Sequence, residues 1–197
     1  MTAKKKIYIL LGNPITNSLT GHMADIYEMS ALKAGHEVRR QNIGEMKFDP
    51  ILHNGYHTIQ ELEADLKTFQ ANVRWADHIV ILYPNWWATM PALLKGLIDR
   101  AWLPGFAFHF HPKGTHIPGW TPLLKGKTAR TIIFANMHPV LTWLLFGNFT
   151  NELARATLGF SGIRPVNIKV FTPSETASKE KIAKWSRHVA RLGATGR

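Results

Sequence analysis

Residues 12–20, GNPITNSLT, place hydroxyl and amide side chains on a short loop between an apolar run and a predicted helix. Thr16, Asn17, Ser18 and Thr20 can donate hydrogen bonds to an anion, and the N–H groups and dipole of a helix N-terminus also favour negative charge. The loop therefore indicates a phosphate site, although an ordinary helix cap and turn would give the same pattern. It contains neither a Walker A sequence nor G-x-G-x-x-G, which disfavours nucleotide triphosphate hydrolysis and the usual dinucleotide fold.

Trp86 and Trp87 form a second candidate site, because they follow directly after the apolar run HIVILY at 78–83 and Pro84 and Asn85. Aromatic rings at the end of a buried strand can form one wall of a crevice that takes a planar ligand. Paired tryptophans also occur in protein cores, so this pair alone leaves core packing open.

The histidines give weaker signals. The run HFHPKGTH at 109–116 has H-x-H spacing but no carboxylates, whereas zinc sites combine a defined spacing with a full ligand set. We therefore predict no metal site. His138 is a candidate acid or hydrogen-bond donor beside a ligand, and a helix-capping role is equally open.

Several other chemistries lack the residues that they need. The chain has no cysteine, which excludes disulfides, cysteine nucleophiles and thiolate-bound metals. It has no G-x-S-x-G sequence for a serine hydrolase of that type. Lys95, Asp99 and Arg100 are predicted to form a solvated helix face and a fold-locking ion pair rather than a catalytic group.

The net charge is strongly positive, with 24 Lys and Arg against 13 Asp and Glu. The basic residues are scattered along the chain, whereas nucleic-acid binders usually concentrate them in a stripe. We therefore expect no nucleic-acid partner. We also expect no membrane span and a cytoplasmic protein, since the apolar run at 140–146 is far shorter than the ~20 residues that cross a bilayer.

The elements that must position these residues alternate between strands and helices. Apolar or alternating runs predict strands at 7–11, 36–43, 78–83, 130–135 and 166–171. Helical spacing and end signals predict helices from Ser18 to Gly35, across Ile59 to Phe69, from Thr89 to Trp102, and from Ser174 through Leu192. Residues 103–128 show no clear period, but their aromatic content indicates an ordered loop.

This alternation predicts one α/β domain over residues 1–197, a doubly wound parallel sheet of five strands in the order 2-1-3-4-5. In such sheets ligands bind outside the carboxyl ends of the strands, near the point where the strand order reverses. The loops 12–20, 84–91 and 135–143 should therefore meet at one edge of the sheet.

One long motif carries a resemblance to a known family. The segment ILYPNWWATMPALLKGLIDRAW, followed by GFAFHF and preceded by WADHIV and FDPIL, resembles the flavodoxin-like NAD(P)H:quinone oxidoreductase family, the relatives of DT-diaphorase and modulator of drug activity B. The shared pattern is a strand, Pro-x-x-Trp, Pro-Ala-x-Leu-Lys-Gly, an acidic-Arg pair and an alternating aromatic run. Weaker similarity extends over nearly the whole chain.

The resemblance implies a flavin cofactor, with FAD slightly favoured over FMN, and NAD(P)H as co-substrate. It implies hydride transfer by a ping-pong scheme to a quinone or similar small acceptor, in a homodimer. A flavin-binding electron carrier or an ancillary regulatory subunit with little turnover is the alternative. The implied cofactor-binding residues are Asn13, Asn17, Ser18, Leu19, Thr20, Pro84, Asn85, Trp86, Trp87, Ala88, Ala135, Asn136, Met137 and His138. The implied substrate pocket contains Trp87, Phe106, Phe108, Phe110 and Trp143.

The chain also departs from the family pattern. Asn13 and Thr20 stand where the family has His and Asn in the phosphate loop, and Ala135 to His138 replace Thr-Thr-Gly-Gly. The Tyr and His credited with a proton relay align with Trp143 and Phe149, so that relay does not carry over to this sequence.

Overall fold

The computed structural model describes residues 3–111 and 119–197, and these form the predicted doubly wound α/β fold. Its main sheet has the order β2-β1-β3-β6-β7 with all neighbours parallel, which is 2-1-3-4-5 within that sheet and confirms the predicted topology. The strands are β1 (Lys6–Leu11), β2 (Glu37–Asn42), β3 (His78–Pro84), β4 (Phe108–Phe110), β5 (Trp120–Pro122), β6 (Thr128–Phe134) and β7 (Val166–Phe171). The helices are α1 (Leu19–Lys33), α2 (Ala64–Trp75), α3 (Ala92–Ala101), α4 (Pro139–Phe146) and α5 (Lys179–Thr195).

Helices cover both faces of the sheet, which explains why β1 and β3 are apolar without alternation. Met23 and Tyr27 of α1 pack with Trp185 and Val189 of α5 on one face. The other face is covered by α2, α3 and a π-helix at Glu152–Gly159. This arrangement brings the carboxyl ends of β1, β3 and β6 together at one exposed edge.

Three predicted helix starts lie earlier than the observed ones. Ile59 is 89% exposed on the loop before α2, which begins only at Ala64. The predicted start of α3 at Thr89 is wrong because Thr89 closes a tight turn with Trp86. The predicted start of α5 at Ser174 is wrong because Ser178 caps that helix, accepting a hydrogen bond from the Lys181 N–H.

Arg100 differs from its predicted place on a solvated helix face. Lys95 and Asp99 form the exposed pair, at 2.7 Å, whereas Arg100 is 1% exposed. Its guanidinium bonds Glu63 at 2.9 Å and the Glu61 carbonyl oxygen at 2.8 Å, so it ties the loop before α2 to α3. The fold-locking ion pair is therefore Arg100 with Glu63.

The segment between β3 and β6 is more regular than predicted. β4 and β5 form a two-stranded antiparallel sheet, with Phe110 opposite Trp120. The predicted weak histidine run at 109–116 lies partly outside the described residues, which omit 112–118. In the described part of the chain, no helix is long and apolar enough to cross a membrane.

Candidate functional site

The loop after β1 is held in shape by its own polar side chains. Asn13 donates from its amide to Ser18 Oγ at 3.0 Å and accepts from the Ile15 N–H at 3.0 Å. Ser18 Oγ donates to the Ile15 carbonyl oxygen at 2.8 Å and accepts from the Gly21 N–H at 3.2 Å, which caps α1. Asn13 and Ser18 thus build the loop, and the predicted N-cap at Ser18 is confirmed.

Two glycines allow this loop to sit close to its neighbours. A Cβ at Gly21 would lie 1.9 Å from the Thr16 carbonyl oxygen, and a Cβ at Gly44 would lie 2.0 Å from the Pro14 carbonyl oxygen. Thr16 also donates to a Glu45 carboxylate oxygen at 3.0 Å, which ties the loop to the short 3-10 turn that follows β2. The shape of the loop is therefore set by contacts within the chain.

The groups left for an anion are the backbone amides at the start of α1 and the exposed Asn17. The N–H groups of Leu19 and Thr20 are in the first turn of the helix, where they have no intrahelical acceptor. The Thr20 side chain is 3% exposed and faces the interior, so its hydroxyl is a poor candidate for a phosphate contact. The arrangement suits an anion bound mainly by backbone N–H groups and the helix dipole.

The tryptophan loop is a strained turn. The Trp86 N–H donates to the Thr89 carbonyl oxygen at 2.9 Å, and the Thr89 N–H donates to the Trp86 carbonyl oxygen at 3.0 Å. The two residues between them, Trp87 and Ala88, have φ values of 52° and 60°, as in a type I′ turn that normally uses Asn or Gly. Trp87 is 100% exposed at the tip, and Trp86 is 44% exposed. Strained positions of this kind cluster at functional sites.

Glu152 contacts this turn from a distant part of the chain, and no sequence pattern indicated that role. The Thr89 hydroxyl donates to a Glu152 carboxylate oxygen. Burial, and next the negative charge of Glu152, raises the pKa of Tyr83 at the end of β3 well above its ordinary value. Glu152 is the first residue of the π-helix, an irregular element often found at functional sites.

Asn85 places an unpaired acceptor beside the same turn. Its N–H donates to the Phe134 carbonyl oxygen at 2.7 Å, which extends the sheet by one residue beyond β3. Its buried side-chain oxygen has no hydrogen-bond partner within the described residues. A buried acceptor without a partner is costly, so this atom is suited to a donor on a ligand.

The third loop is fixed by the segment after β7. The Ala135 N–H donates to the Phe171 carbonyl oxygen at 3.0 Å, and Asn136 Oδ1 accepts from Ser174 Oγ and from the Glu175 N–H, both at 2.9 Å. The Asn136 side-chain oxygen therefore binds the segment after β7. The neighbouring Met137 side chain is 37% exposed.

His138 is the N-cap of α4. Its Nδ1 accepts from the Val140 N–H at 3.3 Å, which is the capping role left open by the sequence. Because Nδ1 is an acceptor, the neutral ring carries its proton on Nε2, and the exposed ring can still donate from that atom.

The residues predicted to line the substrate pocket do not all meet in one chain. Phe108 packs edge-on against Phe110 and Phe160, each at 5.0 Å, beside a cavity of about 370 Å³. The described residues that line this cavity include none from the three crevice loops. Phe106 is 4% exposed and packs on Trp102 at 5.6 Å, so its predicted pocket role does not fit its place in the core.

The remaining predicted pocket residue, Trp143, is 58% exposed on α4. Within residues 3–111 and 119–197, no three histidine, aspartate or glutamate side chains are grouped as metal ligands.

The crevice therefore offers a helix N-terminus for a phosphate, two exposed indole rings and a buried acceptor. These are the features that a flavin phosphate, ring system and ring N–H require.

The chain is similar to oxidoreductases in two comparisons with curated proteins. It is 27% identical over 109 residues to an Escherichia coli protein named uncharacterized NAD(P)H oxidoreductase YcaK, covering 53% of this chain and 56% of that protein. It is 25% identical over 218 residues to ribosyldihydronicotinamide dehydrogenase [quinone] of Pongo abelii, covering 95% of this chain and 91% of that protein. The first of these alignments thus spans little more than half of the relative.

A solved structure from Streptococcus mutans superposes with a TM-score of 0.82 at 27% identity, covering 96% of this chain and 98% of that one. The family model described as "flavodoxin-like fold" matches residues 5–193, which is nearly the whole chain. The described sheet topology agrees with that match. The chain therefore belongs to the family of proteins with the flavodoxin-like fold.

Proposed function

We propose that this chain is a flavin-dependent NAD(P)H oxidoreductase that passes two electrons, as hydride, to a quinone or similar small acceptor. The observation that carries the proposal is the exposed Trp87, held in a strained turn beside the buried side-chain oxygen of Asn85, which has no hydrogen-bond partner among the described residues. An apolar ring wall next to a single buried acceptor fits a planar heterocycle that has its own N–H donor. The names of the two relatives support the pyridine nucleotide and the quinone.

The chain's residues bind and orient in this scheme, and a bound flavin supplies the hydride chemistry. The amides of Leu19 and Thr20 and the exposed Asn17 hold the phosphate. Trp86, Trp87 and Asn85 fix the ring plane, and Met137 lines the third side of the crevice. The pyridine nucleotide and the acceptor use the open side of the ring one after the other, as a ping-pong scheme requires.

His138 is the proposed proton donor in this crevice. Its Nδ1 is occupied by the Val140 N–H, so the proton that it can donate is on Nε2. No other histidine lies on the loops 12–20, 84–91 and 135–138. The proposal assigns no relay through Trp143 or Phe149, which have no ionisable group.

The proposed assembly is a homodimer, because α4 exposes an apolar surface that a monomer rarely tolerates. Six of its side chains are between 47% and 66% exposed: Val140, Leu141, Trp143, Leu144, Leu145 and Phe146. The cavity beside Phe108 and Phe110 is separate from the crevice of its own chain. A two-fold arrangement would cover α4 and place these phenylalanines against the partner's crevice, so that the acceptor pocket forms at the interface.

Two measurements on purified protein test the proposal. The absorbance spectrum, with chromatography of the released flavin, should show one flavin per chain, and we propose FAD. NADH or NADPH oxidation with a benzoquinone should then proceed in steady state. Flavin bound without turnover would favour the electron carrier or regulatory subunit instead, and a protein that binds no added flavin would refute both readings.

A further inference from the structure

A second candidate site lies near the amino ends of the strands, whereas the crevice lies at their carboxyl ends. Two adjoining cavities, of about 580 and 700 Å³, share Gly159 and Arg164 and lie beside the amino ends of β6 and β7. We call them together the basal groove. Its walls are the end of the π-helix, the β4–β5 sheet and the segment before β7. Because the strands are parallel, the amino ends that Lys125 and Arg164 flank lie at the other end of the sheet from the tryptophan turn.

The basal groove is lined by cations without any acidic side chain. Lys125, Arg155 and Arg164 line it, and no Asp or Glu is present among its described lining residues. These three side chains make no hydrogen bond or ion pair with another described residue. By contrast, Arg40 and Arg100 are both paired with carboxylates. The local excess of positive charge is therefore free to attract an anion.

An oriented aromatic surface lies beside these cations. The rings of Trp120 and Phe160 are stacked at 4.3 Å with an angle of 12° between them. Trp120 Nε1 also donates to the Phe160 carbonyl oxygen at 2.9 Å, which fixes the indole plane. Trp120 remains 44% exposed, so the ring face that does not contact Phe160 can accept a further planar group.

Gly162 keeps the charged and aromatic parts of the basal groove close together. Its φ is +91°, which favours glycine, and a Cβ there would lie 2.9 Å from Lys125 Cγ. The chain after the π-helix therefore passes directly against Lys125. Arg164 follows two residues later.

We propose that the basal groove binds an aromatic molecule that carries a phosphate group. The aromatic ring would stack on the exposed face of Trp120, and the phosphate would bind Arg164 and Lys125. Arginine with lysine is a common phosphate-binding pair, and both aromatic stacking and charge are needed for a compound of this class. This site is separate from the proposed flavin crevice and does not depend on the oxidoreductase function.

Adenosine monophosphate is the probe for this site, used with the protein as purified and free of unbound flavin, because flavin is itself an aromatic phosphate and would compete for the groove. Calorimetry should show saturable binding of one molecule per chain. Adenosine lacks the phosphate, and inorganic phosphate lacks the aromatic ring. Each should bind at least about tenfold more weakly, because each loses a contact worth about 1.4 kcal/mol or more.

Variants then locate the binding. Arg164→Gln and Lys125→Gln should each weaken adenosine monophosphate about tenfold, and Trp120→Leu should weaken it without changing the salt dependence. The matched control is Lys184→Gln with Arg187→Gln on the exposed face of α5, which should change the affinity less than twofold. Arg164 and Lys125 are exposed and have no side-chain partner within residues 3–111 and 119–197, so their variants should fold. No saturable binding at millimolar concentration, or equal binding by the groove variants and the control, would overturn the proposal.

Discussion

Replacing Glu152 with alanine should release the Trp86–Thr89 turn and weaken flavin binding. Two non-glycine residues in the left-handed region cost about 1–2 kcal/mol each, or about 2–4 kcal/mol for Trp87 and Ala88 together. The hydrogen bond from Thr89 to the Glu152 carboxylate contributes about 1.5–3 kcal/mol, as bonds to charged groups do. The bond and the strain are thus of similar size, so its loss should let the turn relax in a large fraction of molecules.

A double-mutant cycle measures this coupling without assigning each loss separately. Glu152→Ala, Thr89→Val and the double variant should be compared by urea unfolding of the flavin-free protein. The coupling energy should be about 1.5–3 kcal/mol. Glu152→Gln is the matched control, because its amide oxygen can still accept the bond and should keep much of the stability.

Flavin affinity decides whether the turn belongs to the binding site. We expect Glu152→Ala to raise the flavin Kd about tenfold, which corresponds to about 1.4 kcal/mol of lost positioning. Bound flavin should also fluoresce more strongly, since the indole of Trp87 would no longer be held against the ring. If the losses in unfolding free energy of the two single variants simply add in the double variant, Glu152 does not stabilise the turn through Thr89. An unchanged flavin Kd, despite a real coupling energy, would remove the turn from the flavin site.

Three further predictions concern the crevice, the base of the sheet and the assembly. Trp87→Ala should change the free energy of unfolding of flavin-free protein by less than about 0.5 kcal/mol, because the ring is fully exposed. It should nevertheless weaken the binding of flavin or acceptor. If chemical denaturation instead shows a loss of the ~3–5 kcal/mol typical of core aromatics, the ring packs in the fold. Burial, and next the charge of Lys5, lowers the pKa of His78 from 6.5 to about 3. Between these two pH values the unfolded chain takes up a proton that the folded chain does not. The free energy of unfolding should therefore fall as pH drops from about 6.5 towards 3, by up to about 1.4 kcal/mol per pH unit. His78→Gln should reduce that slope, and parallel urea-midpoint curves for the two proteins would contradict the assignment. Trp143→Glu on α4 should convert the proposed dimer to monomer and lower turnover together with mass in light scattering, whereas a fully active monomer would refute a pocket shared between two chains.

The central strands were predictable from local patterns because both faces of the sheet are covered. Ile7 to Leu11 and His78 to Tyr83 are buried continuously, so their runs have no polar alternation and read as central strands. The N-cap at Ser18 was equally visible, since a serine before a helical period has a local meaning. These signals depend only on neighbours within a few residues.

The site needed contacts that are distant in the chain. Glu152 reaches Thr89 across 63 residues, and Ser174 reaches Asn136 across 38. Neither pair has a local signature, and Ser174 was misread as a helix start because its hydroxyl serves another loop. The left-handed conformation of Trp87 is also invisible in sequence, because that position normally takes Asn or Gly.

The ladder of the sheet continues one residue past each strand that borders the crevice, and then it stops. The N–H groups of Gly12, Asn85 and Ala135 donate to Leu82, Phe134 and Phe171 respectively. These three amides should exchange with solvent deuterium only when the whole sheet opens, while amides a few residues further on exchange through local motion. Residues 13–17, 86–88 and 136–138 can therefore lengthen or change sequence over evolution, and so alter which molecules the crevice admits, without disturbing the register that aligns them.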